Sequence, residues 1–397
     1  MATFLLIIIY LAFISLGLPD SLIGVSWTLM QPEFGAPLEA AGLLFMTVAG
    51  GTIISSLASG AVIKRFGTGS VTAVSCLMTA GALAGFHIAP TLVWLFVLAV
   101  PLGLGAGAVD AALNNYVATH YKAHHMSWLH CFWGIGATLG PVIMAYFMVD
   151  GAWRNGFLAI AAIQFVLVII LFLSLPLWKR IGENNAGNAS QELSDQHESS
   201  TKNEKPLQIR GVKLALIPFL FYCGAEAAVG LWGSSFLVNI KSLSVELAAA
   251  WVSLYYGGIT VGRFLTGFIT LKMSNRSLIR MGQIIALVGT AFLLLPLPDT
   301  FTLISFVLIG LGFAPIFPCM LHETPARFGK EHSQTIMGYQ MAVAYTGSTF
   351  LPPLLGFVAA QLTIGIFPFM IATFVVIMFL VSEKLNITLK TNHTANG

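Results

Sequence analysis

Leu18-Pro19-Asp20-Ser21-Leu22-Ile23-Gly24 and Gly224-Ala225-Glu226-Ala227-Ala228-Val229-Gly230 decide how this chain is read. Each sets one carboxylate inside an apolar stretch, with a glycine four residues on, and the two acids stand 206 positions apart. Holding a charged group in hydrocarbon costs roughly 3 kcal/mol on insertion scales. A chain that bears this twice, at matching points of two halves, is expected to bind or move something across a membrane.

The residues around these frames set the class. The chain is 57% hydrophobic and 9% charged over 397 residues, whereas a soluble domain carries roughly a quarter charged residues. Apolar stretches run near 4–30, 41–63, 70–89, 91–119, 129–149 and 155–177, and again near 212–240, 247–271, 277–297, 300–325, 335–360 and 364–382. Each is long enough to span, at about 20 residues per crossing. The first reads as a span rather than a cleaved leader, because it lacks a basic start and holds Pro19 and Asp20. The expected fold is an all-α integral membrane protein of twelve transmembrane helices. Residues 183–205 are almost wholly polar and read as disordered linker. The expected organisation is therefore a six-helix bundle over 1–180, a linker over 181–210, and a second six-helix bundle with a short tail over 211–397.

The halves repeat one another. Gly50-Gly51, Gly60 and Arg65 recur 207 positions later as Gly257-Gly258, Gly267 and Lys272. Gly103 and Gly105 recur at the same offset as Gly310 and Gly312, and Gly136 with Pro141 recurs 211 positions on as Gly347 with Pro352. Parallel six-helix repeats with a binding site near mid-membrane are a transporter architecture.

Particular motifs carry a resemblance. Gly-Ala-Val-Ile-Lys-Arg-Phe-Gly at 60–67 resembles the major facilitator signature between helices 2 and 3, with Lys64 where that family has an aspartate. Gly-Ile-Gly-Ala-Thr-Leu-Gly-Pro at 134–141 resembles its helix 5 pattern. The frames around Asp20 and Glu226, with Leu-His-Cys-Phe-Trp-Gly-Ile-Gly-Ala at 129–137, are similar to the fucose–proton symporter family. That family includes bacterial sugar–proton symporters and the sodium-dependent glucose transporter-like proteins of animals. The resemblance implies proton-coupled uptake of a small neutral hexose by alternating access. An exporter of drugs or metabolites and a sodium-coupled sugar symporter are the alternatives.

Orientation follows from the cations. With the amino terminus in the cytoplasm, inner loops hold Lys64, Arg65, Lys179, Arg180, Arg276 and Arg280 among others, while outer loops hold only Arg154 and Lys241. That matches the positive-inside tendency, so both termini are expected in the cytoplasm of a cell inner (plasma) membrane. The net charge of +3 comes from these loops and is no argument for nucleic acid. The lipid bilayer and the small-molecule substrate with its ion are the expected partners, and the protein is expected to be a monomer. No nucleophile–base pair or phosphate loop is present, so neither enzyme chemistry nor a cofactor is expected. Cys76, Cys131, Cys223 and Cys319 all fall within spans and form no disulfide framework.

The polar residues inside spans are the site candidates. Asp20, Asp110 and Glu226 are the proton-coupling candidates, because desolvation favours the neutral form of an acid. Asn114 lies one turn from Asp110, with Asn115 beside it, and Trp27 shares a face with Asp20. Glu226 with Trp232 offers carboxylate acceptors and an apolar ring for a sugar. Trp27, Asn114, Asn115, His130, Glu226, Trp232 and Gln340 are the substrate-binding candidates. Arg263 and Glu323 lie at similar depth and are expected to pair, as a gate or a structural tie. His120 and His124 lie one turn apart but lack a third ligand, so no metal site is expected.

Overall fold

The structure is a computed structural model and describes residues 2–121, 123–192, 206–270 and 272–395. The first predicted span is two helices, α1 (Ala2–Gly17) and α2 (Leu22–Phe34), separated by a turn at 18–21. Pro19 explains the break: it donates no N–H, and its ring disfavours helical geometry at the preceding residue. There follow α3 (Ala40–Phe66), α4 (Thr68–Ile88), α5 (Leu92–His120), α6 (Ala123–Met148) and α7 (Trp153–Glu192). The later part comprises α8 (Val212–Asn239), α9 (Val245–Ile269), α10 (Asn275–Leu294) and the pair α11 (Asp299–Phe313) and α12 (Ile316–His322). A short α13 (Thr324–Phe328), then α14 (Lys330–Gln361) and α15 (Phe367–Ala395), complete it. No strand occurs among the described residues.

Two details depart from expectation. Eleven segments are long and apolar enough to cross a membrane, and α9, the predicted eighth span, is not among them. At 25 residues it has the length. Its hydropathy is lowered by a buried face that includes Ser253, Tyr255, Tyr256 and Thr266, with Arg263 on the same helix. The second departure is α7, which continues to Glu192, so the first part of the predicted linker is helical. Extending an existing helix avoids the unfavourable nucleation step, and Asn-Ala-Gly-Asn-Ala-Ser at 185–190 holds no proline to stop it. The rest of the predicted linker, 193–205, lies outside the described residues.

The chain packs as two compact units. One comprises Met1–Pro19, Thr47–Gly136 and Phe157–Glu204; the other comprises Asp20–Met46, Ala137–Gly156 and Lys205–Gly397. In the first, Leu5, Ile9 and Phe13 of α1 form a buried core with Leu113 and Val117 of α5 and Leu171 of α7. In the second, α8 is central and packs against α14, α15, α9 and α2.

Each unit uses glycine in the same way. In the first, a Cβ on Gly51 would meet Leu104 N at 3.0 Å and Val100 O at 3.1 Å. In the second, a Cβ on Gly258 would meet Val307 O at 2.8 Å and Leu311 N at 3.1 Å. The contacted residues are themselves 207 positions apart, so the repeat seen in sequence is a repeat of helix-on-helix backbone contact. Gly258→Leu is expected to lose about 1–3 kcal/mol by overpacking. Gly267→Leu, where nothing lies within 4 Å, is expected to be neutral. Thermal unfolding of the two purified variants checks this; equal midpoints would contradict it.

Candidate transport site

The second unit builds its polar centre on α8. Tyr222 and Glu226 lie one turn apart on that helix, facing Arg263 of α9. Arg263 Nη2 donates to Glu226 Oε1 at 3.1 Å and to the Tyr222 hydroxyl at 3.3 Å. The Tyr255 hydroxyl donates to the Glu226 carbonyl at 3.2 Å. The ion-paired side chains are only 15% and 16% exposed, so each charge depends on the other.

This corrects the expected Arg263–Glu323 pair. Glu323 instead accepts from Arg276 Nε at 3.1 Å and Arg327 Nε at 3.3 Å. The reason lies in helix geometry: side chains tilt toward the amino terminus of their own helix. Arg263, near the carboxyl end of α9, is thereby aimed back along the helix toward the middle of α8.

Asp20 is exposed, on the turn before α2, and bears electrostatically on Tyr256 of α9. Four residues on, Gly24 sits against the backbone of Gly230 and Leu231, so α2 and α8 touch without intervening side chains. One turn beyond that contact on each helix are polar groups without a hydrogen-bond partner: Trp27 Nε1, Ser234 Oγ and Ser235 Oγ. All three residues are at most 1% exposed. Trp232, expected to flank a sugar beside Glu226, is placed differently. It is fully buried, donates its indole N–H to Pro352 O at 2.8 Å, and packs on Gly356. Its neighbour relation to Glu226 in sequence does not survive the 100° step per residue of a helix. Gln340 is also displaced from the expected sugar set. It is buried, accepts from Thr324 Oγ1 at 3.0 Å and borders a cleft near Arg327.

The first unit carries its own acid. Asp110 Oδ1 accepts from Asn114 Nδ2 at 2.8 Å, and the same amide reaches the Asp110 carbonyl at 3.0 Å. Below them on α5, Gly103 and Gly107 meet α3 backbone, and the Thr52 and Ser56 hydroxyls each donate to a glycine carbonyl at 3.2 Å. Asp110 is thus held by a neutral amide, whereas Glu226 is held by a guanidinium. The side chain of Asn115 lies outside the described residues. His130 is exposed on α6, its ring edge-on to Phe13 at 5.9 Å. Among the described residues no group of three or more metal-ligating side chains occurs; the side chains of His120 and His124 lie outside them.

Sequence reading missed Tyr222, although its place four residues before Glu226 signals a shared face. It also missed Glu33, which ends α2. The Glu33 carboxylate accepts from Trp153 Nε1 at 2.5 Å and from Arg154 Nη2 at 2.7 Å, tying α2 to the start of α7. No local signal joins residues 120 positions apart.

A polytopic helical bundle with partly buried acids on two of its membrane-long helices, Asp110 on α5 and Glu226 on α8, is the setting of a membrane carrier. The chain belongs to the Major Facilitator Superfamily, which it matches over residues 9–352, and it is a multi-pass transporter rather than an enzyme. It is similar to the glucose/mannose transporter GlcP of Bacillus subtilis (strain 168), 25% identical over 321 residues covering 77% of this chain and 76% of the relative. It is also similar to the cis,cis-muconate transport protein of Acinetobacter baylyi (strain ATCC 33305 / BD413 / ADP1), 22% identical over 90% of this chain and 87% of that one. Among solved structures, a D-xylose–proton symporter superposes with a TM-score of 0.74 at 15% identity, covering 96% of both chains; that likeness bears on the fold alone.

Proposed function

We propose that this carrier takes up a small neutral sugar together with a proton, by alternating access across the cell's inner membrane with both termini in the cytoplasm. The observation that carries the coupling is the contrast between the acids. Glu226 is charge-paired by Arg263; Asp110 has the neutral Asn114 amide. An acid that must ionise toward one compartment and be neutral while the carrier turns over cannot be held permanently by a guanidinium. Asp110 is therefore the proton carrier, with Asn114 orienting its carboxyl. Neutralisation matters because an unpaired ion in a dehydrated closed site is strongly unfavourable.

Glu226, Tyr222 and Arg263 form the polar wall that a sugar's hydroxyls meet, and Asp20 is the second candidate for the proton. The sugar class is supported by the Bacillus relative, which is named as a glucose/mannose transporter. The Acinetobacter relative raises a carboxylate cargo. Arg263 argues against it here, since its guanidinium already serves Glu226 and Tyr222. The two sequence halves, 1–180 and 211–397, are the moving parts, and the working unit is a monomer.

The test is uptake of labelled hexoses into proteoliposomes under an inward proton gradient without sodium. Gradient-driven accumulation supports the reading. Sodium-dependent accumulation would replace the ion and keep the cargo. No accumulation of any hexose, with or without sodium, would sink the sugar and make the exporter the leading alternative.

A further inference from the structure

Ser234 and Ser235 on α8 differ from the other small hydroxyls of the second unit. A serine or threonine inside a helix commonly returns its O–H to the carbonyl four residues back. Ser26 does so to Leu22 O at 2.6 Å, Thr260 to Tyr256 O at 2.9 Å and Thr266 to Gly262 O at 2.7 Å. The hydroxyls of Ser234 and Ser235 have no partner, in residues at most 1% exposed.

The carbonyls they would use are those of Gly230 and Leu231, and both lie under Gly24 of α2. A Cβ on Gly24 would run into Gly230 O and lie 2.6 Å from Leu231 O. A Cα–H group is a weak donor, so closing α2 onto α8 covers two strong acceptors with a poor substitute and strands two hydroxyls. Among the described residues, six buried side-chain polar atoms lack a partner, and four of them (on Ser21, Trp27, Ser234 and Ser235) sit within about one turn of this contact. The seam joins helices from different sequence halves inside one compact unit. A second contact in the same unit is of the opposite kind: the Ser253 hydroxyl of α9 donates to Thr138 O of α6 at 2.8 Å.

We infer that the α2–α8 seam is a gate that opposes its own closure, with Ser234 and Ser235 favouring the parted form and Ser253 the closed one. Under the alternating-access reading on which this rests, the sequence halves move and the Gly24 contact must break in every cycle. Parting α2 from α8 uncovers the Gly230 and Leu231 carbonyls and returns an acceptor to each serine. A buried donor without an acceptor is destabilising, and here that destabilisation is confined to the closed form. The two stranded hydroxyls thus offset the close glycine packing, which alone would hold the gate shut.

The experiment is hydrogen–deuterium exchange of the purified full chain in nanodiscs, read by mass spectrometry on peptides from α2 and α8. Protection there tracks the free energy of local opening. Ser234→Ala and Ser235→Ala each remove a stranded hydroxyl from the closed form and are each expected to slow exchange about tenfold. Ser253→Ala removes a hydroxyl that closure satisfies and is expected to speed exchange, although it brings the same gain in helix propensity. Gly24→Ala drives a methyl group into the Gly230 carbonyl and is expected to speed exchange in α8, while peptides around Gly51 in the first unit keep their rate. Slowing in either serine variant supports the gate, so misfolding of one leaves the other to report. Slowing in neither, equal slowing in Ser253→Ala, or unchanged exchange in Gly24→Ala would overturn it. Exchange depends on neither cargo nor coupling ion, so a failed hexose uptake assay leaves this result standing, and a failure here leaves the sugar reading untouched.

Discussion

Asp110→Asn carriers are expected to move sugar down its own gradient yet lose all proton-driven accumulation. The amide mimics the neutral carboxyl, so the variant sits permanently in the form that tolerates closure. Asn114 keeps a partner of the same size, so the fold should survive. A membrane potential contributes about 2.3 kcal/mol per charge per 100 mV, which corresponds to roughly fiftyfold accumulation for one proton per sugar. In Asp110→Asn that ratio falls to unity while counterflow of labelled sugar across equilibrated liposomes continues. The pair of assays separates coupling from catalysis of exchange. If the variant still accumulated sugar against its gradient, Asp110 would not be the proton carrier, and Asp20 would be examined next. If counterflow also disappeared, the acid would be a binding or structural group instead.

What could be read in the sequence follows from the range of the interactions involved. The all-α membrane architecture was legible because membrane insertion is decided by local composition, and the repeat was legible because glycines are needed wherever two backbones touch. Gly51 and Gly258 each meet the backbone of residues that are themselves 207 apart, so spacing alone exposed the symmetry. The acids were legible for the same reason, since a lone carboxylate among leucines is conspicuous. Partners were not. Arg263 was assigned to Glu323 by depth, but a seven-atom side chain reaches along its helix, and the direction of that reach decided for Glu226. Trp232 was assigned to a sugar by adjacency to Glu226, yet neighbouring positions face different ways on a helix, and this one faces Pro352. The tie of Glu33 to Arg154 joins residues whose only relation is three-dimensional. Polarity forbids a core but does not forbid a helix, and α7 continues into the start of the polar stretch.

The ion pair between Glu226 and Arg263 leads to the sharpest stability effect in the protein. Neither charge is well exposed, and each is answered mainly by the other, with Tyr222 sharing the guanidinium. Removing one partner leaves an uncompensated charge in a poorly solvated place, a change that typically destabilises by about 3–5 kcal/mol. Arg263→Met and Glu226→Gln are therefore each expected to express poorly and unfold at much lower temperature. The double variant Glu226→Gln with Arg263→Met has no charge left to strand and is expected to recover most of that loss, so the two substitutions should be strongly non-additive. Transport need not recover with stability, because a sugar that reads the Glu226 carboxylate still meets an amide. That split discriminates between the roles open to this acid. A proton carrier at Glu226 would tolerate Glu226→Gln with intact stability and lost coupling, the behaviour assigned above to Asp110. A charge-paired wall predicts the reverse: lost stability in each single variant, restored in the double, with sugar affinity remaining weak. Purified single variants as stable as the parent would show that Arg263 and Glu226 are not mutually dependent, and Glu226 would then stand beside Asp110 as a candidate proton carrier.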